Sequence, residues 1–245
     1  ISLTNVIIVV LIGHGSATAI VVAVAVGTVL GALAGLLTTM LRLPSIIVTL
    51  ALSSVWAGLA LYVLPTPESG ISSSFGNLTN GYVPLYLSLA LVVLWLWLAR
   101  TRFGRRVYAV GSSENAAYTA GIPIVSTKVV AFAISGALLA LGALMLSATT
   151  GGGDPLSGSS ITLEAIAAAV LGGVSFQGGK GSLIGAIFGA VALTLITNLV
   201  FNTGASAFYQ GVVYGILLVL ALALSRFTSR RWIRMPVPAI GRGQR

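Results

Sequence analysis

The chain has 245 residues, 57% of them hydrophobic and 7% charged, and carries a net charge of +9. A water-soluble domain carries about 25% charged residues, so the composition excludes a soluble globular protein and points to an integral membrane protein. The absence of cysteine excludes disulfides, thiol catalysis and thiolate metal sites. One histidine and four acids argue against a metal cage or an acid–base pair, so no catalytic residue, metal ligand or bound cofactor is expected.

A spanning helix needs about 20 apolar residues to cross roughly 30 Å of hydrocarbon. In chain order the candidate segments are 1–12, 16–40, 45–64, 83–99, 128–150, 158–175, 182–202 and 208–225. The first begins at Ile1 without an initiator Met and reads as the later part of a hydrophobic segment, so a preceding portion is expected to be missing. "GHGS" at 13–16, "RLP" at 42–44 and "QGGKG" at 177–181 read as tight turns, with Pro44 opening the helix that follows. Residues 65–84 are a polar loop rich in turn formers. The class is therefore all-α and polytopic, with about eight crossings by the length rule. A transmembrane domain over 1–226 is followed by a basic tail over 227–245.

Charge fixes the orientation. Arg100, Arg102, Arg105 and Arg106 share one loop, and Arg226, Arg230, Arg231, Arg234, Arg242 and Arg245 share the tail. Cytoplasmic loops collect Lys and Arg, so both belong inside, with an even number of crossings between them. Arg42, Lys128 and Lys180 then fall on the same side, and Glu68 and Asp154 on the other. Parity decides the short segment 158–175: a re-entrant reading would put the arginine tail outside, so it counts as a crossing. The tail is expected in the cytoplasm. The net positive charge is this membrane bias rather than a nucleic-acid surface.

The loop over 100–127 is long and polar for so apolar a chain. One reading is a connector whose arginines set topology. The other is a docking surface. Within it 114–120 reads as a short helix, capped at its start by Ser112 or Ser113, ended by Gly121 and stopped by Pro123. Ala116, Ala117 and Gly121 offer small surfaces for a partner's close approach.

Three ordered blocks carry a resemblance: "LRLPSIIVTLALSSVWAGLAL", "RTRFGRRVYAVGSSENAAYTAGI" and "EAIAAAVLGGVSFQGGKGSLIGAIFGA". Together, from about residue 27 to 226, the chain resembles the permease subunits of bacterial ABC importers for simple sugars, the ribose, xylose and galactose group. Branched-chain amino acid and nucleoside permeases share the wider superfamily. The resemblance implies a multi-pass protein of the bacterial plasma membrane, paired with a second permease in a homo- or heterodimer. It also implies an ABC ATPase subunit that binds the ATP and an extracytoplasmic substrate-binding protein. It implies that residues 112–121 sit in a groove of that ATPase, with Gly104, Arg105, Arg106, Glu114, Asn115, Ala116, Ala117 and Gly121 in the coupling loop. The family commonly has an acid directly before the Ala-Ala pair; here Asn115 stands there and Glu114 one place earlier.

The remaining candidates keep two readings each. Glu164 lies in an apolar run, where an ionisable group marks function by default. It reads equally as an interfacial residue hydrogen-bonded to Ser159, Ser160 or Thr162. Thr194, Asn198 and Asn202 fall at i, i+4 and i+8, hence on one helix face. They suit a path for sugar hydroxyls or hydrogen bonds between helices. "LGGVSFQGGKGS" lacks the spacing of a phosphate-binding loop and reads as a turn. Gly27, Gly31 and Gly35, four apart, predict close helix packing. His14 reads as a residue of an outer turn, and Trp56, Trp95, Trp97 and Trp232 include interface anchors. The rival classes are an autonomous secondary transporter or channel, disfavoured by the scarcity of intramembrane acids, and an intramembrane enzyme, disfavoured by the lack of Cys and of an acid cluster.

Overall fold

A computed structural model describes residues 1–11, 16–69, 83–175 and 178–202 together with positions 212, 215, 216 and 219. His14, Trp232, the basic tail and most of segment 208–225 lie outside the described residues. Nine helices are described: α1 Ser2–Leu11, α2 Ser16–Leu41, α3 Ser45–Val63, α4 Val83–Arg100, α5 Arg102–Ser112, α6 Glu114–Thr119, α7 Ile124–Thr150, α8 Ser157–Leu171 and α9 Leu183–Asn202. Two short strands, β1 Glu68–Ser69 and β2 Gly152–Gly153, pair antiparallel, with Glu68 opposite Gly153. The chain divides into two compact units, Ile1–Thr162 with Gln177–Lys180, and Leu163–Phe176 with Gly181–Arg245.

Among the described residues three helices are long and apolar enough to cross a membrane: Thr18–Leu41, Ser45–Val63 and Ile124–Thr150. Their outer faces carry large apolar side chains, such as Val21, Ile47, Leu50 and Val55, as contact with lipid or another subunit requires. α9 has 20 residues and rises about 30 Å. The 15 residues of α8 rise about 22 Å, below the length of a lone span. The helices agree with the expected all-α polytopic class, and α4, taken up below, is a further candidate span among the described residues.

In the first unit the core is a glycine seam. α2 and α7 run antiparallel, and the predicted close packing of Gly27, Gly31 and Gly35 is where they meet. A Cβ on Gly27 would lie 2.6 Å from the Gly136 carbonyl oxygen, and one on Gly31 2.3 Å from that of Phe132. Backbones approach this closely only where side chains are absent.

At the end where α2 begins and α7 finishes, α1 is seated by both apolar and polar contacts. Ile8 packs with Ala23, Ala143, Leu144 and Ala148, and Val6 with Ala60 and Leu64. The buried Asn5 amide donates to Ser147 Oγ at 3.0 Å, and its Oδ1 accepts from the Asp154 N–H at 3.0 Å. Ser2 Oγ accepts from the Gly158 N–H at 3.0 Å. The strand pair lies at this same end, so Glu68 and Asp154 share a side, as the charge reading expects.

At the opposite end, α2 passes to α3 through Arg42, which holds a left-handed φ of 51°. Pro44 is the N-cap of α3 rather than its first helical residue, one position outside the expectation; its carbonyl accepts the N–H groups of Ile47 and Val48. α7 starts at Ile124, four residues before the predicted 128, because Pro123 sets its N-cap and the Thr127 hydroxyl donates back to the Pro123 carbonyl at 2.7 Å.

In the second unit α8 and α9 form another seam of small residues. A Cβ on Gly172 would lie 2.3 Å from the Gly185 carbonyl oxygen, and one on Gly189 2.1 Å from that of Ala168. Ala167, Ala168 and Leu193 form its buried cluster.

Candidate coupling site

The polar stretch after α4 is two helices, not one helix in a loop. α4 ends at Arg100, and α5 leaves it at an angle of 77°. Thr101 makes the corner. Its hydroxyl donates to the Leu98 carbonyl at 2.6 Å and accepts from the Gly104 N–H at 3.3 Å, capping α5. Gly104 is required there because a Cβ would lie 2.4 Å from the Leu98 carbonyl oxygen. Arg102, Arg105 and Arg106 are exposed along one face of α5, and Val110 is buried on another. α4 has 18 residues, and with α5 it forms a bent apolar pair that is a further candidate span.

One residue, Ser113, separates α5 from α6. It ends the first helix and caps the second in an extended conformation, with its hydroxyl accepting from the Ala116 N–H at 3.3 Å. The stop of α6 satisfies carbonyls of its last turn. Ile122 N–H donates to the Ala117 carbonyl and Gly121 N–H to that of Tyr118, each at 3.0 Å. Gly121 takes φ 71° to allow this, as the Schellman ending demands. Pro123 then begins the link into α7. The start and the stop both match the sequence reading.

The face of α6 differs from the expectation. Ala117 is 3% exposed and holds the helix against its own chain, so it is not part of a docking surface. Asn115, Ala116, Tyr118, Thr119 and Gly121 are exposed instead, Tyr118 at 75%. Glu114, one place before the family's usual acidic position, pairs with Lys128 on the first turn of α7, Oε1 to Nζ 2.5 Å. Its carboxylate is thus engaged within this chain.

A contact missed in the sequence backs this arrangement. Gly178 and Gly179, in the turn between α8 and α9, lie against Gly111 and Ser112 at the end of α5. Lys180 beside them is exposed. All cations among the described residues, Arg42, Arg100, Arg102, Arg105, Arg106, Lys128 and Lys180, therefore gather at the α5 and α6 end of the first unit.

The second set of candidates does not converge. Glu164 is half-buried on α8. Thr162 spends its hydroxyl on the Gly158 carbonyl at 2.6 Å and not on Glu164. On α9, Thr194, Asn198 and Asn202 are all exposed on one face, as predicted, but the seam toward α8 is made by Gly185, Gly189 and Leu193. Thr194 donates to the Ala190 carbonyl at 2.9 Å, leaving that face as an outward polar strip.

Long apolar helices packed through glycine, with a short capped helix held at the cation-rich end, define a polytopic membrane permease. The chain belongs to the family described as branched-chain amino acid transport system / permease component, whose model matches residues 2–222. It is 38% identical over 201 residues to the ribose import permease protein RbsC of Bacillus subtilis, covering 78% of this chain and 62% of that one. It is 35% identical over 224 residues to the probable ABC transporter permease protein y4mJ of Sinorhizobium fredii, covering 87% and 67%. It is 34% identical over 214 residues to the D-allose transport system permease protein AlsC of Escherichia coli, covering 84% and 66%. The chain spans about two thirds or less of the length of these relatives. No solved structure matches it.

Proposed function

We propose that this chain is the membrane-spanning subunit of an ATP-driven ABC importer that carries a simple sugar across a bacterial plasma membrane. The observation that carries the reading is α6: a short helix with a side-chain cap at one end, a Schellman stop at the other, and an exposed outer face. A six-residue helix has almost no stability of its own, so its caps and its seat exist to present that face. An ABC ATPase subunit receives it, and ATP is bound and hydrolysed there. A second permease completes the pathway as homo- or heterodimer, and an extracytoplasmic binding protein delivers substrate.

The clustering of cations around α5 and α6 supports a cytoplasmic location for this end, with the C-terminal tail on the same side. In the cycle, closure of the ATPases displaces α6, and the spanning helices follow as rigid bodies between inward and outward states. The relatives' names, with ribose and D-allose among them, favour a sugar. The family description itself keeps an amino acid as the competing substrate. Uptake of labelled ribose, allose, galactose, xylose and leucine by cells expressing the chain with its ABC ATPase and binding protein tests this. Accumulation of one sugar that stops when the ATPase is inactivated is the expected result. ATP-independent accumulation, or accumulation of leucine alone, refutes it.

A further inference from the structure

The turn between α8 and α9 meets the end of α5, just before α6, chiefly through backbone, with Ser112 Oγ the side-chain atom at the contact. A Cβ on Gly111 would lie 2.7 Å from the Gly179 nitrogen and 3.2 Å from its Cα. A Cβ on Gly179 would lie 2.6 Å from both Cα and N of Ser112, and one on Gly178 2.8 Å from the Gly111 carbonyl oxygen. Gly178 and Gly179 hold φ of 83° and 68°, so this tight path is open to them without strain. Gly111 has no such conformational need. It sits inside α5, where glycine is the poorest helix former but proline, and the close approach is what it provides. The contact falls two residues before Ser113, the cap of α6.

We infer that the 178–180 turn is the seat of the coupling helix, a second transmission contact beside the covalent link through Pro123 into α7. The inference rests on the proposed docking of an ATPase at α6. Backbone against backbone has no rotamers to absorb a displacement, and close-packed contacts transmit strain. The ion pair of Glu114 with Lys128 is different in kind: its carboxylate is 57% exposed, and side chains so solvated yield by rotation. Movement of α6 therefore reaches α7 along the chain and, through the glycine contact, the two helices that the turn joins in sequence. Gly111 and Gly179 are positioning residues in this scheme.

The test is Gly111→Ala in the complete transporter, assayed with the sugar that the wild type accumulates. A glycine that merely weakened its helix would leave the protein unchanged or improved when replaced by alanine. The expected result is normal yield, normal co-purification of the ATPase and continued ATP hydrolysis, with sugar uptake per ATP hydrolysed reduced about tenfold or more. A destabilised permease would lower both rates together, so the ratio is the readout. Independently, the chain has no cysteine, and Ser112→Cys with Lys180→Cys can be bridged by a short thiol cross-linker. Efficient bridging with uptake preserved supports a contact that persists through the cycle. Bridging that stops uptake, or a wild-type ratio in Gly111→Ala, overturns the inference. A wild-type chain that captures no ATPase refutes instead the reading beneath it.

Discussion

Replacing Gly136 by alanine adds one methyl group to the seam between α2 and α7. That carbon would lie 2.1 Å from the Gly27 carbonyl oxygen and 3.0 Å from the Gly31 Cα. Carbon–oxygen contacts ordinarily begin at about 3.3 Å, so the helices must part by about 1 Å. A gap of that size forfeits a quarter to a half of the dispersion well for the atoms facing it. Overpacking costs about 1–3 kcal/mol, and the upper part applies because the opposing atoms are backbone and cannot rotate away. Alanine returns about 0.5–1 kcal/mol through helix propensity, leaving a net loss of roughly 1–2 kcal/mol. For a chain of this size each kcal/mol moves the melting temperature by about 2–4 °C, so a fall of roughly 2–8 °C is expected. Gly142, six residues further along α7, meets nothing within 4 Å, and Gly142→Ala should raise the melting temperature slightly. Thermal unfolding of the two variants in one detergent is the assay. A Gly136→Ala protein that melts at or above the wild type refutes the seam.

Ala116→Trp should insert and fold normally yet lose ATPase association, since Ala116 is exposed, whereas Ala117→Trp should release α6 from its seat and expose the 113–122 segment to protease; identical behaviour of the two would contradict the assigned faces. Asn5→Ala removes an acceptor from the Asp154 N–H and a donor to Ser147, a loss of about 1–3 kcal/mol, read as a lower melting temperature without a change in which sugar is taken up. Glu164→Gln should slow uptake at unchanged yield of the complex if the carboxylate serves passage; loss of folded protein would assign it a structural role. Cysteines at Ser69 and Ser157 should react with an impermeant reagent added to intact cells and one at Ser113 should not; labelling of Ser113 alone would invert the topology.

How much of this was legible depended on the range of each interaction. The caps of α6 are local, so Ser113, Gly121 and Pro123 announced both ends of a helix of 6 residues. The seam of α2 was legible because Gly27, Gly31 and Gly35 repeat at the helix period, although nothing in the sequence named Gly136 as the partner. α5 was hidden. Its bend is made by one threonine, and Gly104 and Gly111, the residues that fit it to its neighbours, read locally as helix breakers. The burial of Ala117 was out of reach, since so short a helix has no periodicity to reveal its inner face. The strand pair joins Glu68 and Ser69 to two glycines more than eighty positions away, with no alternation to mark either strand. The 178–180 turn was read correctly as a turn, but what rests on it is a long-range contact that a single sequence does not display.

The position of Asn5 sets an order of events in synthesis. Its amide is 1% exposed in the finished protein, and the hydroxyl it donates to lies 142 residues further along the chain. Ribosomes add about 5–20 residues per second, so Asn5 emerges roughly 7–28 s before Ser147 exists. For that interval α1 holds an amide that hydrocarbon penalises. It must therefore wait near headgroups, translocon or water, and settle only when the far end of α7 has arrived. The unit closes from its last-made helix backwards, and arrest of translation between α3 and α7 should leave α1 open to reagents that the completed protein excludes.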